Sequence, residues 1–243
     1  MKRKLLLAAI LVFTGIQLFA KEGVYLEFKI TSTRMNGTSK TYEADGNTRT
    51  ELLLNNASGG GPIGTTTLIL ADNPYNAYSL NEKDRTYTVK EKGKDGEHPD
   101  DYDVEVLGKE TIGSYKCIHV IVTFNKFKRT TEMWLSKDVK GYETFMGANI
   151  SQLGSGSGFY EKLKAKGAEG CMVRMLTKDP KGSDGMQMDL VKAEKKNIDA
   201  SLFSLAGYTK SSMPAIMTSE QMRAMTPEQR QEYLNKMREK YKR

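Results

Sequence analysis

The chain has 243 residues, with 37 Lys and Arg against 30 Asp and Glu and a net charge of +7. Hydrophobic residues make up 38% and charged residues 28%, too apolar a mix for a disordered chain. Two Cys and two His exclude a disulfide-stapled miniprotein, a zinc finger and a His-rich metal site, and a body rich in Thr, Tyr, Val and Ile, cut by 22 Gly, argues against a helix bundle.

Lys2, Arg3 and Lys4 precede an apolar run from Leu5 to Phe19, and Ala20 suits a cleavage site. The pattern predicts a secretory signal peptide over residues 1–20. The run is short for a membrane span, which needs about 20 residues; an uncleaved anchor is the rival reading. Leu18 is bulkier than the residue favoured three positions before a cut, so the cleavage position is less defined than the signal. No Cys follows the run to take a lipid. The expected product is exported, to a bacterial periplasm or beyond the cell. Without the three leader cations the charge falls to +4, and +3 of that sits in Ser219 to Arg243. A nearly neutral body argues against nucleic acid as a partner.

Val24, Leu26, Phe28 and Ile30 alternate with Tyr25, Glu27, Lys29 and Thr31, as on a half-buried strand. Asn36-Gly37 and Asp45-Gly46 read as turns flanking a strand over Thr38 to Ala44, and Asn47 to Leu54 pairs back. Ser58 to Pro62 is a loop. Further strands are predicted over Thr65–Ala71, Asn76–Leu80, Arg85–Lys90, Tyr102–Glu110, Ser114–Phe124 and Lys128–Ser136, with a charged loop over Glu91–Asp101. Cys171–Thr177 and Met186–Ala193 form a late hairpin around Pro180 to Gly185. Hairpin after hairpin without βα alternation gives a mainly β protein with an antiparallel sheet. Such a sheet can curl into a barrel or half-barrel to cover its apolar face.

Helices are few. Phe159–Lys166 is short and follows the flexible run Gly154 to Gly158, and Asp199–Leu205 is a turn or two. At the end Thr226 caps, Pro227 fits the first helical position and Gln229 completes a capping box, with Tyr233, Leu234, Met237 and Tyr241 in one stripe. Met213–Met225 could add a shorter helix before it. The predicted organisation is a signal peptide over 1–20, a half-barrel domain over 21–210 and a basic helical tail over 211–243.

Gly108-Lys109-Glu110-Thr111-Ile112-Gly113-Ser114-Tyr115-Lys116-Cys117, an apolar strand, and then Glu132-Met133-Trp134-Leu135-Ser136-Lys137-Asp138 resemble the secreted domain-of-unknown-function 4412 family. The stretch from Ile198 to Tyr208 resembles the end of that family and of periplasmic lipoprotein-sorting proteins. The resemblance covers roughly Gly23 to Tyr208. It implies a curved antiparallel sheet, an unclosed barrel with helices in its mouth, like lipoprotein carriers that hold acyl chains in the concavity. No ligand residue transfers, because the match holds no ligand motif. Met225-Thr226-Pro227-Glu228-Gln229 is similar to the Leu-Thr-x-x-Gln motif of all-helical periplasmic stress chaperones, with Met for Leu; a capped helix explains the same residues.

No catalytic constellation is predicted, and the expectation is a protein that is not an enzyme and needs no cofactor. His98 lies in a charged loop, and His119 on a strand reads as structural. Gly154-Ser155-Gly156-Ser157-Gly158 has Gly at its centre and is a hinge, not a nucleophile elbow. Gly59-Gly60-Gly61 lacks the Lys of a phosphate loop. Asp100, Asp101 and Asp103 lack the Gly and distal Glu of a calcium loop.

Eleven of the 13 Met lie at or after Met133. Met172, Met175, Met186 and Met188 on neighbouring strands allow three readings: a Cu(I) site, core filling, or an adaptable apolar cavity. With the carrier resemblance, the cavity would be lined by Phe28, Val120, Met175, Met186 and Met188, with Phe159 as a gate and Gly154 to Gly158 as its hinge. Cys117 and Cys171 form an even pair in an oxidising compartment. Simple alternation puts them on different faces unless a bulge intervenes or one Cys precedes its strand, so a disulfide is open. The expected function is a binder or carrier of an apolar ligand, a lipid or acyl chain. The alternative is an envelope interaction module that meets a protein partner through the C-terminal helix.

Overall fold

A computed structural model describes residues 20–56, 61–91, 99–125, 129–142, 157–178, 184–211 and 225–241. The proposed signal peptide and the Gly-rich stretches at 58–60 and 154–156 lie outside them, as do His98 and most of the proposed 213–225 helix. The strands are β1 (Ala20–Ser32), β2 (Met35–Ala44), β3 (Asn47–Asn56), β4 (Ile63–Leu70), β5 (Asn73–Asn81), β6 (Thr86–Glu91), β7 (Tyr102–Ile112), β8 (Tyr115–Phe124), β9 (Arg129–Ser136), β10 (Cys171–Lys178), β11 (Asp184–Asp199) and β12 (Thr209–Lys210). Among the described residues the helices are α1 (Ser157–Ala165) and α2 (Pro227–Tyr241), and 3-10 turns cover Pro99–Asp101 and Ala200–Phe203.

All twelve strands form one unclosed sheet in the order β12-β6-β5-β4-β3-β2-β1-β11-β10-β9-β8-β7. Two meanders, β1 to β6 and β7 to β11, meet where β11 pairs antiparallel with β1 over its whole length. Alternation on β1 is as the sequence predicts: Val24, Leu26, Phe28 and Ile30 are buried on one face. Each such aliphatic or aromatic side chain contributes roughly 1.5–3 kcal/mol on leaving water. The face they share is the inner one, over which α1 lies.

On the outer face, the run after β11 crosses β3 to β6. Phe203 and Leu202 pack with Tyr25, Ala44 and Ile198, and Leu205 and Tyr208 pack on Leu68, Tyr78 and Leu80. The Asp199 carboxylate starts that run by accepting the Ser201 amide at 2.9 Å. The run ends as β12, which lies parallel to the edge of β6, with Thr209 N donating to Arg85 O at 3.0 Å. That one parallel pair departs from the all-antiparallel expectation.

Two local features decide the register of the first meander. Asp45 and Gly46, at φ 51° and 74°, form the predicted two-residue turn between paired Ala44 and Asn47. Asn36-Gly37 is not a turn: both residues lie inside β2, Gly37 opposite Ile30 and Leu54. A Cβ at Gly37 would stand 1.9 Å from the Leu53 carbonyl oxygen, so glycine there permits strand contact, not reversal. At the other end of the chain the capping box of α2 is formed in both directions. Thr226 N donates to Gln229 Oε1 at 3.0 Å and Gln229 N to Thr226 Oγ1 at 3.3 Å.

Candidate functional site

The inner face carries a row of directly opposed residues that crosses six strands. Ile30 on β1 pairs with Met188 on β11, Met188 with Met175 on β10, and Met175 with Met133 on β9. Met133 pairs with Val120 on β8, and Val120 with Val106 on β7. Three unbranched thioethers thus stand side by side in the middle of the row. The adjoining row sets Ser32 beside Met186, Thr177, Thr131, Val122 and Val104 in the same way. Phe28, Val120, Phe159 and Met175 belong to one buried cluster, and Met186 and Met188 pack half-buried against it.

Helix α1 covers this cluster at the β7–β8 side. Leu163 is fully buried, and the Phe159 ring sits 5.3 Å from Tyr102 and 6.4 Å from Phe124, which are themselves opposed across β7 and β8. The proposed gate residue therefore seats on the rim of the sheet. Its proposed hinge falls on residues outside the described ones, apart from Ser157 and Gly158, which begin α1.

Across the β1–β2 boundary the inner face changes character. Val24, Leu26 and Phe28 on β1 oppose Glu43, Thr41 and Ser39 on β2. Glu43 in turn opposes Thr48, and Thr41 opposes Thr50, on β3. Apolar side chains on β1 thus meet a strip of hydroxyls and one carboxyl on β2 and β3, beyond which Leu52 opposes Ser39 and buried Ile69 opposes Thr48. Ser39, Thr41, Glu43 and Thr48 are all buried, Glu43 at 1% exposure and Thr48 at 0%. Thr41 and Thr50 share a hydroxyl contact of 3.4 Å. Glu43 Oε1 accepts the Gly46 amide at 3.3 Å, but Glu43 Oε2 and Thr48 Oγ1 have no hydrogen-bond partner among the described residues. Burial holds the Glu43 carboxyl above the ordinary carboxylate range. The sequence pattern Ser39-x-Thr41-x-Glu43 carried this strip, but polar alternation on a strand ordinarily signals solvent.

Cys117 and Cys171 are both free thiols. A bulge at Val173 shifts the β10–β9 register, so Cys171 opposes Ser136 on one side while β8 runs on the other side of β9 with Ile118 opposite Leu135. The bulge thereby brings both thiols to the same face, flanking Ser136. Strand β9 keeps them two inter-strand spacings apart, roughly 9.5 Å, beyond the reach of a disulfide. The bridge left open by composition is therefore not made. Burial raises both thiols, Cys171 to about 12.

The outer face opposite the methionine row holds a polar network. His119, Trp134, Arg174 and Asp189 are directly opposed across β8, β9, β10 and β11. His119 stacks on Trp134 at 4.1 Å between ring centroids, and its two ring nitrogens meet Glu110 Oε1 at 2.9 Å and Glu132 Oε2 at 3.2 Å. Trp134 Nε1 donates to Glu110 Oε2 at 2.9 Å, and Arg174 Nε donates to Asp189 Oδ1 at 2.6 Å. The hydrogen bond from Trp134, and next that from His119, hold the Glu110 carboxyl below the ordinary range. His119 is enclosed and bound on both sides, as a structural strand histidine is.

Elsewhere on the outer face, an open groove of about 690 Å³ runs between Lys40, Arg49, Leu53, Thr66, Leu80 and Lys83. None of the six predicted lining residues borders it. Asp100 lies 3.9 Å from Lys162 in an ion pair. Among the described residues no group of three or more His, Cys, Asp or Glu could hold a metal ion, and no helix is long and apolar enough to cross a membrane. On α2, Tyr233 is buried while the residues before it are exposed.

A family model described as Domain of unknown function (DUF4412) matches residues 22–208. No curated protein matches the chain. Among solved structures, an uncharacterized conserved protein from Thermus thermophilus is similar at 10% identity, over 84% of this chain and 99% of that one, with a TM-score of 0.47. The MucA/MucB complex of Pseudomonas aeruginosa is similar at 11% identity, over 71% of this chain and 51% of that one, with a TM-score of 0.38. A Vibrio parahaemolyticus domain named for outer membrane lipoprotein sorting is similar at 8% identity, over 72% and 86%, with a TM-score of 0.23.

Proposed function

The chain belongs to the DUF4412 family of domains of unknown function, and we propose that it is an exported, non-catalytic binder or carrier of an apolar ligand, a lipid or acyl chain. The observation that carries this reading is the methionine row on the inner face, with a separate helix at the rim of that face. Met133, Met175 and Met188 are opposed across three strands of an unclosed sheet, and α1 packs on the β7 side of the cluster that holds Met133 and Met175 and that Met188 packs against. Methionine side chains repack at low cost, because they are unbranched and polarizable. A nine-residue helix seated on such a surface can give way to an acyl chain without breaking the sheet. Binding would be driven by apolar area leaving water.

In this reading residues 21–210 are the binding domain and 211–243 a helical appendage, and the leader at 1–20 directs export to the periplasm. Native mass spectrometry of the protein purified from its own cells tests it. A co-purified acyl ligand is the expected result. A mass equal to the bare chain, together with an empty lipid extract, would leave the interaction-module reading in front.

A further inference from the structure

The inner face has an orphaned polar pair beside its apolar half. Glu43 Oε2 and Thr48 Oγ1 are buried, opposed across β2 and β3, and without a hydrogen-bond partner among the described residues. Residues so opposed have their Cβ atoms roughly 5 Å apart, so one small group can touch both. A buried polar atom with no partner costs stability, and a buried carboxylate with no counter-charge costs more. No Lys, Arg or His among the described residues bonds Glu43. The Thr41 and Thr50 hydroxyls lie one step along the same two strands. On the other side Val24, Leu26 and Phe28 begin the apolar half directly.

We propose that Glu43 and Thr48 are the head-group site for a cationic amphiphile, a protonated primary amine on an aliphatic chain, whose tail lies along the apolar half of the inner face. The assignment rests on the apolar-ligand reading above and adds which end goes where. An ammonium carries three donors and no acceptor. It satisfies the Glu43 oxygen and the Thr48 oxygen, supplies the missing counter-charge and leaves a donor for the neighbouring hydroxyl pair. A carboxylate head would set like charge against Glu43 or force it to stay protonated.

The test is competition by dodecylamine, dodecanol and dodecanoate, each below its micellar concentration, against a neutral fluorescent apolar probe on the full chain at pH 7. Dodecylamine should bind at least tenfold more tightly than dodecanoate and more tightly than dodecanol. Glu43→Gln should bring dodecylamine to within about twofold of dodecanol and leave dodecanol unchanged. Thr48→Val, which keeps the shape and removes the hydroxyl, should weaken dodecylamine severalfold and serves if Glu43→Gln does not fold. Equal binding of amine and carboxylate, or an amine preference that survives both substitutions, would overturn the head-group assignment while dodecanol binding kept the apolar reading. Failure of dodecanol itself to bind would overturn that reading and this assignment with it.

Discussion

Met175 on β10 and Met188 on β11 are direct cross-strand partners, and each has another apolar residue opposite it on its far side, Met133 and Ile30. Met188 is two strands from the hydroxyl strip of β2 and Met175 three, with β1 between Met188 and that strip. The inner face is therefore amphiphilic across the strands: the apolar row of Ile30, Met188, Met175, Met133 and Val120 gives way beyond β1 to Ser39, Thr41 and Glu43 on β2, with Thr48 and Thr50 opposite on β3.

Val120 lies in the same row, fully buried between Met133 and Val106. Val120→Asp puts an unpaired charge there and should destabilise the fold by ~3–5 kcal/mol. Urea unfolding measures it. A midpoint unchanged from the native chain would mean that this row is not the core.

Glu43 should make stability fall with rising pH. Its folded pKa is raised, so the carboxyl favours folding below the unfolded carboxylate value, about 4.3, and loses that contribution as pH rises through the folded value. Glu43→Gln cannot ionise. It should raise the melting temperature at pH 7 and raise it less at pH 4. A variant less stable than native at both pH values would show that Glu43 is a structural bond, held by its contact to Gly46.

Trp134 is the only tryptophan of the chain, so its emission reports the outer network alone. Glu110 is held low by Trp134 and then His119, so its contribution is present above the unfolded pKa and lost as pH falls through the depressed folded one. Emission should change in a step below the ordinary carboxylate range, and Glu110→Gln should abolish that step. A step at the ordinary value that ignores Glu110→Gln would contradict the network.

The two thiols should titrate as two per chain in denatured, unreduced protein. In the native state they should react slowly, since burial raises both. A count of zero would require β9 to move from between β8 and β10.

Much of the sheet was legible because alternation carries it: Val24 to Ile30 and Ile118 to Phe124 read directly as faces, and the methionines fell on the strands the pattern gave them. The two ends of β11 did not. Its late half, Glu194 to Asn197, is nearly all charged or polar and shows no apolar period, yet it pairs fully with β1. Bulges at Val173 and Val191 reset the faces, and a bulge has no composition of its own. The Gly37 misreading has the same origin, since close approach of strands and a tight turn both ask for glycine. The Glu43 and Thr48 pair was missed because the sequence shows a residue's polarity and not whether water reaches it.

An apolar ligand entering under α1 onto the methionine row is the central claim. Titration of the full chain with N-phenyl-1-naphthylamine, a neutral apolar probe, tests that most directly. Saturable binding at micromolar concentration is predicted, displaced by dodecanol and lost in Met188→Lys with the fold retained by circular dichroism. Absence of saturable binding at tens of micromolar, or binding indifferent to Met188→Lys, would contradict it.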